Sequence, residues 1–372
     1  MDAVPTLRTR LAALDVFRGA AVAAMIFVND PGDWAHVSPP FDHAAWHGWT
    51  PTDLIFPFFL FIVGTAAALS LARRAAAGAD RGALAGHALV RGAVIVLVGW
   101  AMSAFPYTLE RLRHIRIPGV LPRIGVVYAL GALVVLAAGS RRRLVIPAVI
   151  ALLLAVHTFL LLGLGYDLTP KGNVARAVDM AVLKNHLWKG GDWDPEGIVS
   201  TLTALATMLT GVLAGELLIA VPERRRREAA LLAAGVLGAG VGLLGSRFLP
   251  INKNLWTASY VLLSSGLACV ALAACLVATD RPGKERRFGF FQTFGKNPLL
   301  AFVLSGMTAR VLGFVKVPVE GGSVSLHQAL YAAGFSFIDD LTLRSHAWAL
   351  AMVLFWYLVL RLFERLGWFW KV

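Results

Sequence analysis

Charge is scarce in this sequence: Asp, Glu, Lys and Arg together make up 15% of its 372 residues, well below the share in a soluble domain. A chain so poor in charge does not cover the surface of a soluble fold of this size. Cysteine is scarcer still. The two that occur, Cys269 and Cys275, lie inside one apolar run, which excludes a disulfide framework and offers no metal site. Short segments of alternating polarity, the mark of outer-membrane strands, are missing as well. So is a secretory signal peptide: residues 1–10 are polar, and the apolar run that follows contains Asp15 and Arg18 and has no convincing small-residue cleavage site. No glycine-rich phosphate-cradling motif is present, and the two halves of the chain lack the match that inverted-repeat transporters carry.

What the sequence has is apolar length. Hydrophobic residues make up 58% of it, and the mean hydropathy is +0.68. Ten apolar runs, at 11–28, 54–72, 89–105, 119–138, 144–165, 197–219, 228–246, 257–278, 294–313 and 346–363, are bounded by charge or by Gly and Pro. About 20 such residues in a helix cross the hydrocarbon of a bilayer. The sequence therefore predicts an all-α fold, a polytopic transmembrane helix bundle of ten spans, with residues 1–372 forming one domain. Most of the 36 glycines fall within or at the ends of these runs, where close helix packing uses them.

Ten crossings put alternate loops on alternate sides, and the basic residues select the cytoplasmic one. Arg8, Arg10, Arg73, Arg74, Arg81, Arg91, Arg141, Arg142, Arg143, Arg224, Arg225, Arg226 and Arg227 share one face. Arg281, Lys284, Arg286, Arg287, Arg361, Arg365 and Lys371 join them. These are 20 of the 35 basic residues, their segments hold 7 of the 22 acidic ones, and so the whole net charge of +13 sits on this face. Both termini are expected in the cytoplasm, with the longer loops near 29–52, 106–118, 166–196, 247–256 and 314–345 outside. The basic character needs no nucleic-acid partner.

The outer loops are the chemically rich face. They hold seven of the nine histidines, including His36, His43 and His47, together with Asn29, Asp53, Asp192, Asp194, Glu196, Asn252 and Asn254. Trp34, Trp46, Trp49, Trp188, Trp193 and Trp256 gather there too. An interfacial aromatic belt accounts for tryptophans alone. Histidines and carboxylates beside them suit a site where sugar rings stack on indoles and hydroxyls meet polar side chains. Asp15 and Arg18, at i and i+3 in "LDVFRG", share a helix face and form a structural ion pair or a functional one. Arg123 follows two prolines and a glycine in "IRIPGVLPRIGVVY", where broken backbone lets a fixed cation meet an anionic group, unless it is a buried structural arginine. "WDPEGIVSTL" reads as a helix start with Asp194 as N-cap and Pro195 at the first position. "FLPINKNLWTASY" concentrates hydrogen-bonding side chains just before a span.

In order along the chain, "LDVFRGAAVAAMIFVND", "HAAWHGWTPTDLIFPFFLFIVG", "RIPGVLPRIGVVY", "WDPEGI" and "NKNLWTASY" resemble the bacterial relatives of heparan-α-glucosaminide N-acetyltransferase, a family of transmembrane amino-sugar acetyltransferases. The likeness covers nearly the whole chain and rests on five separated blocks. It implies acetyl-CoA as a cytoplasmic co-substrate and the amine of a glucosamine-type sugar or glycan as acceptor on the other side. It implies His43 as the catalytic histidine, base or acetyl acceptor, and places Asn29 in the same site. By the same resemblance Arg123, Glu196, Asn254 and Ser259 are expected around the acceptor, and the polar and aromatic outer loops add Asp53 and Trp46. His47 stands where the family pattern carries Asn, so whether it assists or packs is open. A homodimer in the inner membrane of a bacterium is implied, with no metal. Histidine suits the chemistry, since an attacking amine must lose a proton near neutral pH. A sugar transporter and a membrane O-acyltransferase of sugar hydroxyls are the competing readings, and the five blocks weigh against both.

Overall fold

The computed structural model describes residues 11–279, 285–319 and 322–370; both termini and Arg8, Arg10, Arg281, Lys284 and Lys371 of the basic face lie outside the described residues. In chain order the elements are α1 (Ala12–Asn29), α2 (Ile55–Ala76), α3 (Arg81–Ala104), α4 (Leu109–Arg113), α5 (Val120–Ala138), α6 (Arg142–Leu162), α7 (Val174–Leu183) and α8 (Ile198–Ala220). There follow α9 (Arg224–Gly245), α10 (Ala258–Thr279), α11 (Gly289–Lys296), α12 (Pro298–Phe314), the strands β1 (Lys316–Val319) and β2 (Gly322–Ser325), α13 (Leu326–Phe335) and α14 (Leu341–Arg365). The two strands form a small antiparallel hairpin, with Lys316 opposite Ser325. The fold is all-α as the apolar runs predict.

Among the described residues eight helical stretches are long and apolar enough to cross a membrane, or nine if the bent pair α11 and α12 is one span. One of the eight, Val120–Leu162, has 43 residues. At 1.5 Å per residue that is about 65 Å, twice a bilayer's hydrocarbon. A short 3-10 turn at Gly139–Arg141 divides it into α5 and α6, and Gly139 there takes φ +53°, which glycine adopts without strain. Every predicted run thus coincides with a helix, with one exception. The run 294–313 is not continuous: the chain bends by 84° between α11 and α12. Pro298 has no N–H to extend a helix, and Asn297 before it sits at φ −129°, ψ 51°. The Asn297 amide then ties down the C-terminal segment, donating to Trp368 O at 2.8 Å and accepting the Trp370 N–H at 3.1 Å.

Burial sorts the long helices into two groups. In α1, α2 and α8 the apolar stretch is 61% buried, against 22% to 28% for α3, the α5–α6 stretch, α9 and α14. The first group forms the centre with α10, and the second turns residues such as Leu144, Leu237 and Leu358 outward. A helix apolar on its exposed face is what a lipid environment stabilises. The centre closes on glycine. A Cβ on Gly64 of α2 would lie 1.9 Å from Met208 O of α8, and one on Gly211 would lie 2.0 Å from Phe61 O. Thr65 Oγ1 donates across this contact to Gly211 O at 3.0 Å. With the backbones this close, α2 is held against α8, and its N-terminal end becomes a fixed platform for the loops above it.

Candidate active site

Residues Thr50 to Asp53 turn the chain into α2, and Asp53 Oδ2 accepts the Thr50 N–H at 3.0 Å, the return half of a capping box. The same oxygen accepts the Ala44 N–H at 3.1 Å. The other oxygen, Oδ1, lies 2.7 Å from His43 Nδ1. Asp53 is 1% exposed, whereas half of the His43 side chain faces solvent. A carboxylate only accepts, so neutral His43 carries its proton on Nδ1 and leaves the Nε2 lone pair free. This is the arrangement in which an acid orients a base.

A second loop completes the group. The Gly48 N–H donates to Ile251 O at 2.8 Å, and Gly48 and Asn252 form a parallel bridge. Asn252 Nδ2 lies 3.2 Å from His47 Nδ1, and Thr257 Oγ1 donates to Pro250 O at 2.9 Å. Trp256, fully buried at φ +54°, anchors the loop by donating from Nε1 to Thr207 Oγ1 at 3.0 Å. Between them, Lys253 is carried to His43. Its Nζ lies 3.0 Å from His43 Nδ1, 3.3 Å from Nε2 and 3.4 Å from Asp53 Oδ1. Burial pulls the Lys253 ammonium below its ordinary pKa, against Asp53 and Glu196, which raise it.

Beside this group lies a buried ion cluster. Arg116 binds Asp194 through Nε at 2.8 Å and Nη2 at 2.6 Å, and also reaches Glu196. Burial opposes the Arg116 charge, but the two carboxylates outweigh it and raise its pKa. Burial pushes the Asp194 carboxyl up, whereas Glu196 is held below its ordinary value, because Arg116, Arg123 and Lys253 together outweigh its burial. Arg123, 3% exposed, donates from Nη2 to Gly197 O and Ser200 Oγ and lies 5.0 Å over the Trp256 ring. Its Nε and Nη1 are buried without a partner among the described residues. An arginine with two donors idle in a dry site is costly unless a ligand uses them.

The expected residues therefore divide. His43, Asp53 and His47 sit in the first group, and Glu196 and Arg123 in the ion cluster. Asp53 has both oxygens engaged within the protein, so its part is to hold His43. Asp194 does not cap α8: the N-cap is Gly197, Pro195 stands outside the helix, and Asp179 of α7 accepts the Ile198 N–H at 2.9 Å instead. Asp194 is drawn away by Arg116, the first arginine of the "RIPGVLPR" block. Trp46 donates to Leu168 O at 2.7 Å and packs edge-on against Trp193. Ser259 Oγ donates to Pro250 O at 3.2 Å, inside the loop, and Asn254 is half-buried in it. Asn29 ends α1, is exposed, and makes no hydrogen bond with His43 or Asp53. Asp15 and Arg18 pair at 3.2 Å, as the spacing predicts. Sequence reasoning placed Lys253 in the hydrogen-bonding cluster ahead of α10 without giving it a partner, and passed over Arg116, seven residues before Arg123 in the same block. Among the described residues no three His, Cys, Asp or Glu side chains converge as metal ligands.

Asp15 and Arg18 line a cavity of about 630 Å3 that opens at the opposite end of the bundle. Arg73, Arg74, His87, Arg91, Arg227 and Lys296 also line it, and its wall follows α2 from Arg74 to Phe59. Fifteen residues of helix span about 22 Å. The deep part is apolar, formed by Phe59, Val63, Val120, Leu121, Ile124 and Phe302. Phe59 lies only six residues, about 9 Å, along α2 from Asp53.

The family model for the catalytic region of heparan-alpha-glucosaminide N-acetyltransferase matches residues 10–252. Human heparan-alpha-glucosaminide N-acetyltransferase is 29% identical over 355 residues, covering 80% of this chain and 53% of its own length. The mouse protein of that name is 28% identical over 353 residues, covering 79% and 53%. This chain spans about half the length of the curated relatives it matches. The matched residues take in His43, Asp53, Arg116, Arg123, Asp194 and Glu196, and cover well over half of the sequence. On that match the chain belongs to the heparan-α-glucosaminide N-acetyltransferase catalytic family.

Proposed function

We propose that this protein is a transmembrane N-acetyltransferase that moves the acetyl group of cytoplasmic acetyl-CoA to the amine of a glucosamine-type sugar at the outer face of a bacterial inner membrane. The observation that carries the reading is the pairing of an exposed, carboxylate-oriented histidine at one end of the bundle with a basic, deep cavity at the other. In this reading α5 and α6 cross separately, α11 and α12 cross as one, and both termini are cytoplasmic.

Arginines at the cavity mouth hold the phosphates of CoA, and the apolar shaft takes the pantetheine arm. The thioester then reaches the level of His43. In direct transfer the amine nitrogen bonds to the carbonyl carbon, the C–S bond breaks, and the amine proton passes to His43 Nε2 and on to the thiolate. In the two-step route Nε2 bonds to the carbonyl carbon as the C–S bond breaks and CoA leaves as the thiolate; the amine then bonds to that carbon, the C–Nε2 bond breaks, and the amine proton passes to Nε2 and on to the thiolate. Both routes use the same lone pair. Asn29 donates to the acetyl oxygen. Trp46, His47, Arg123, Glu196, Asn254 and Ser259 surround the acceptor, with Glu196 drawing the cationic sugar toward the site.

The test is transfer from labelled acetyl-CoA to glucosamine by purified protein in detergent, with CoA release followed in parallel. Labelled N-acetylglucosamine is expected, and its loss in His43→Ala with acetyl-CoA still bound. If no amino sugar triggers CoA release while vesicles holding the protein pass sugar across the bilayer, the protein is a transporter instead.

A further inference from the structure

Lys253 lies 210 residues from His43 in sequence, and the Gly48–Asn252 bridge sets it directly on the histidine. Its position over the ring is specific. A point nearly equidistant from both ring nitrogens at these distances would collide with Cε1 if it lay in the ring plane, so Nζ sits over the imidazole face. It therefore leaves the in-plane Nε2 lone pair uncovered. The side chain is 16% exposed, and its acidic partner Asp53 already takes hydrogen bonds from His43, Ala44 and Thr50. An ammonium has three donors. Among the described residues, Asp53 and the His43 ring are the only polar groups it touches, so donors remain for whatever meets Nε2.

Acetyl transfer places a negative oxygen there. When a nucleophile adds to the thioester, the carbonyl π electrons move to oxygen, and this happens within a bond or two of Nε2 by either route. A cation already fixed where the charge develops stabilises such an oxygen without reorganising as it forms.

We infer that Lys253 is a catalytic residue whose ammonium holds the oxyanion of the tetrahedral intermediate above His43. The inference rests on the acetyltransferase reading and adds to it a cationic donor beside the Asn29 amide. The intermediate forms with one new bond to the carbonyl carbon. In direct transfer it collapses when the oxyanion re-forms C=O and expels the CoA thiolate, which takes the amine proton held on His43; in the two-step route the thiolate leaves first and takes that proton after the amine has displaced the acetyl group from Nε2, and Lys253 keeps its protons throughout.

The test uses the full chain, with Lys253→Met and Lys253→Arg beside wild type, in two measurements. In steady-state transfer, Lys253→Met should lose kcat on the order of 10²-fold, as removal of an oxyanion donor does, and Lys253→Arg should recover part of it. In binding, S-carboxymethyl-CoA places a carboxylate near the acetyl oxygen, and S-ethyl-CoA places no oxygen there. Lys253→Met should weaken the first at least tenfold and the second less than twofold, which also shows that the variant is folded. Equal loss for both ligands, or a kcat within threefold of wild type, would overturn the inference. A wild-type protein that transfers no acetyl group would overturn the acetyltransferase reading itself, and the two failures are thereby separate.

Discussion

At the scale of the residue, the site depends on which nitrogen of His43 carries the proton. Asp53→Asn keeps the shape of the turn, yet an amide that donates to Nδ1 moves the ring proton to Nε2 and removes the lone pair. Its kcat should fall by about 10²–10⁴-fold with little change in thermal midpoint, measured in the acetyl-transfer assay and by fluorescence unfolding in parallel. That His43 stands in a polar cluster ahead of α2 was legible, because it lies in a dense block of unusual residues at the head of an apolar run. The role of Asp53 was not, because a carboxylate ten positions away looks the same whether it faces a ligand or a histidine. The contacts of Lys253 and Arg116 were hidden by the same limit: each meets a partner about 80 or more residues distant, and spacing carries no signal at that range.

At the scale of the element, the ten runs were legible because helix length in lipid is set by one dimension, the hydrocarbon thickness. The short outer helices α4, α7 and α13 obey no such rule and left no mark. Nor did the bend at Asn297, since a proline at a helix start and a proline that breaks a span look alike in a hydropathy profile. The α2–α8 contact yields a prediction of its own. Gly211→Val puts two methyls into backbone already at contact distance, and should destabilise the protein by about 1–3 kcal/mol or more, seen as a lower thermal midpoint in detergent. The joint between α7 and α8 yields another. Burial raises the Asp179 carboxyl to about 6, and among the described residues its Oδ2 has no partner. A raised folded-state pKa means that this group's contribution is present below the unfolded value of 3.8 and is lost as pH rises through about 6. Asp179→Asn keeps the acceptor for the Ile198 N–H without the charge. Relative to wild type it should gain on the order of 2–3 kcal/mol between pH 4 and pH 7.5, read from thermal midpoints across that range.

At the scale of the whole molecule, polar groups gather at two ends of one bundle, with His43, Asp53 and Lys253 at one and the arginine-lined cavity at the other. Replacing Arg73 and Arg74 together by Gln should raise the KM for acetyl-CoA about tenfold and flatten its dependence on ionic strength, as expected for phosphates held by partly exposed cations. The shaft from those arginines to Phe59 also bears on the membrane as a barrier. If the bundle crosses the bilayer as proposed, this shaft runs along much of the hydrocarbon thickness, and between its apolar end and the outer loops lie the first turns of α2, where Phe56 packs edge to face on Trp256 at 5.2 Å. In the proposed transfer, whatever opens this packing wide enough for an acetyl group must still exclude hydrated ions and protons.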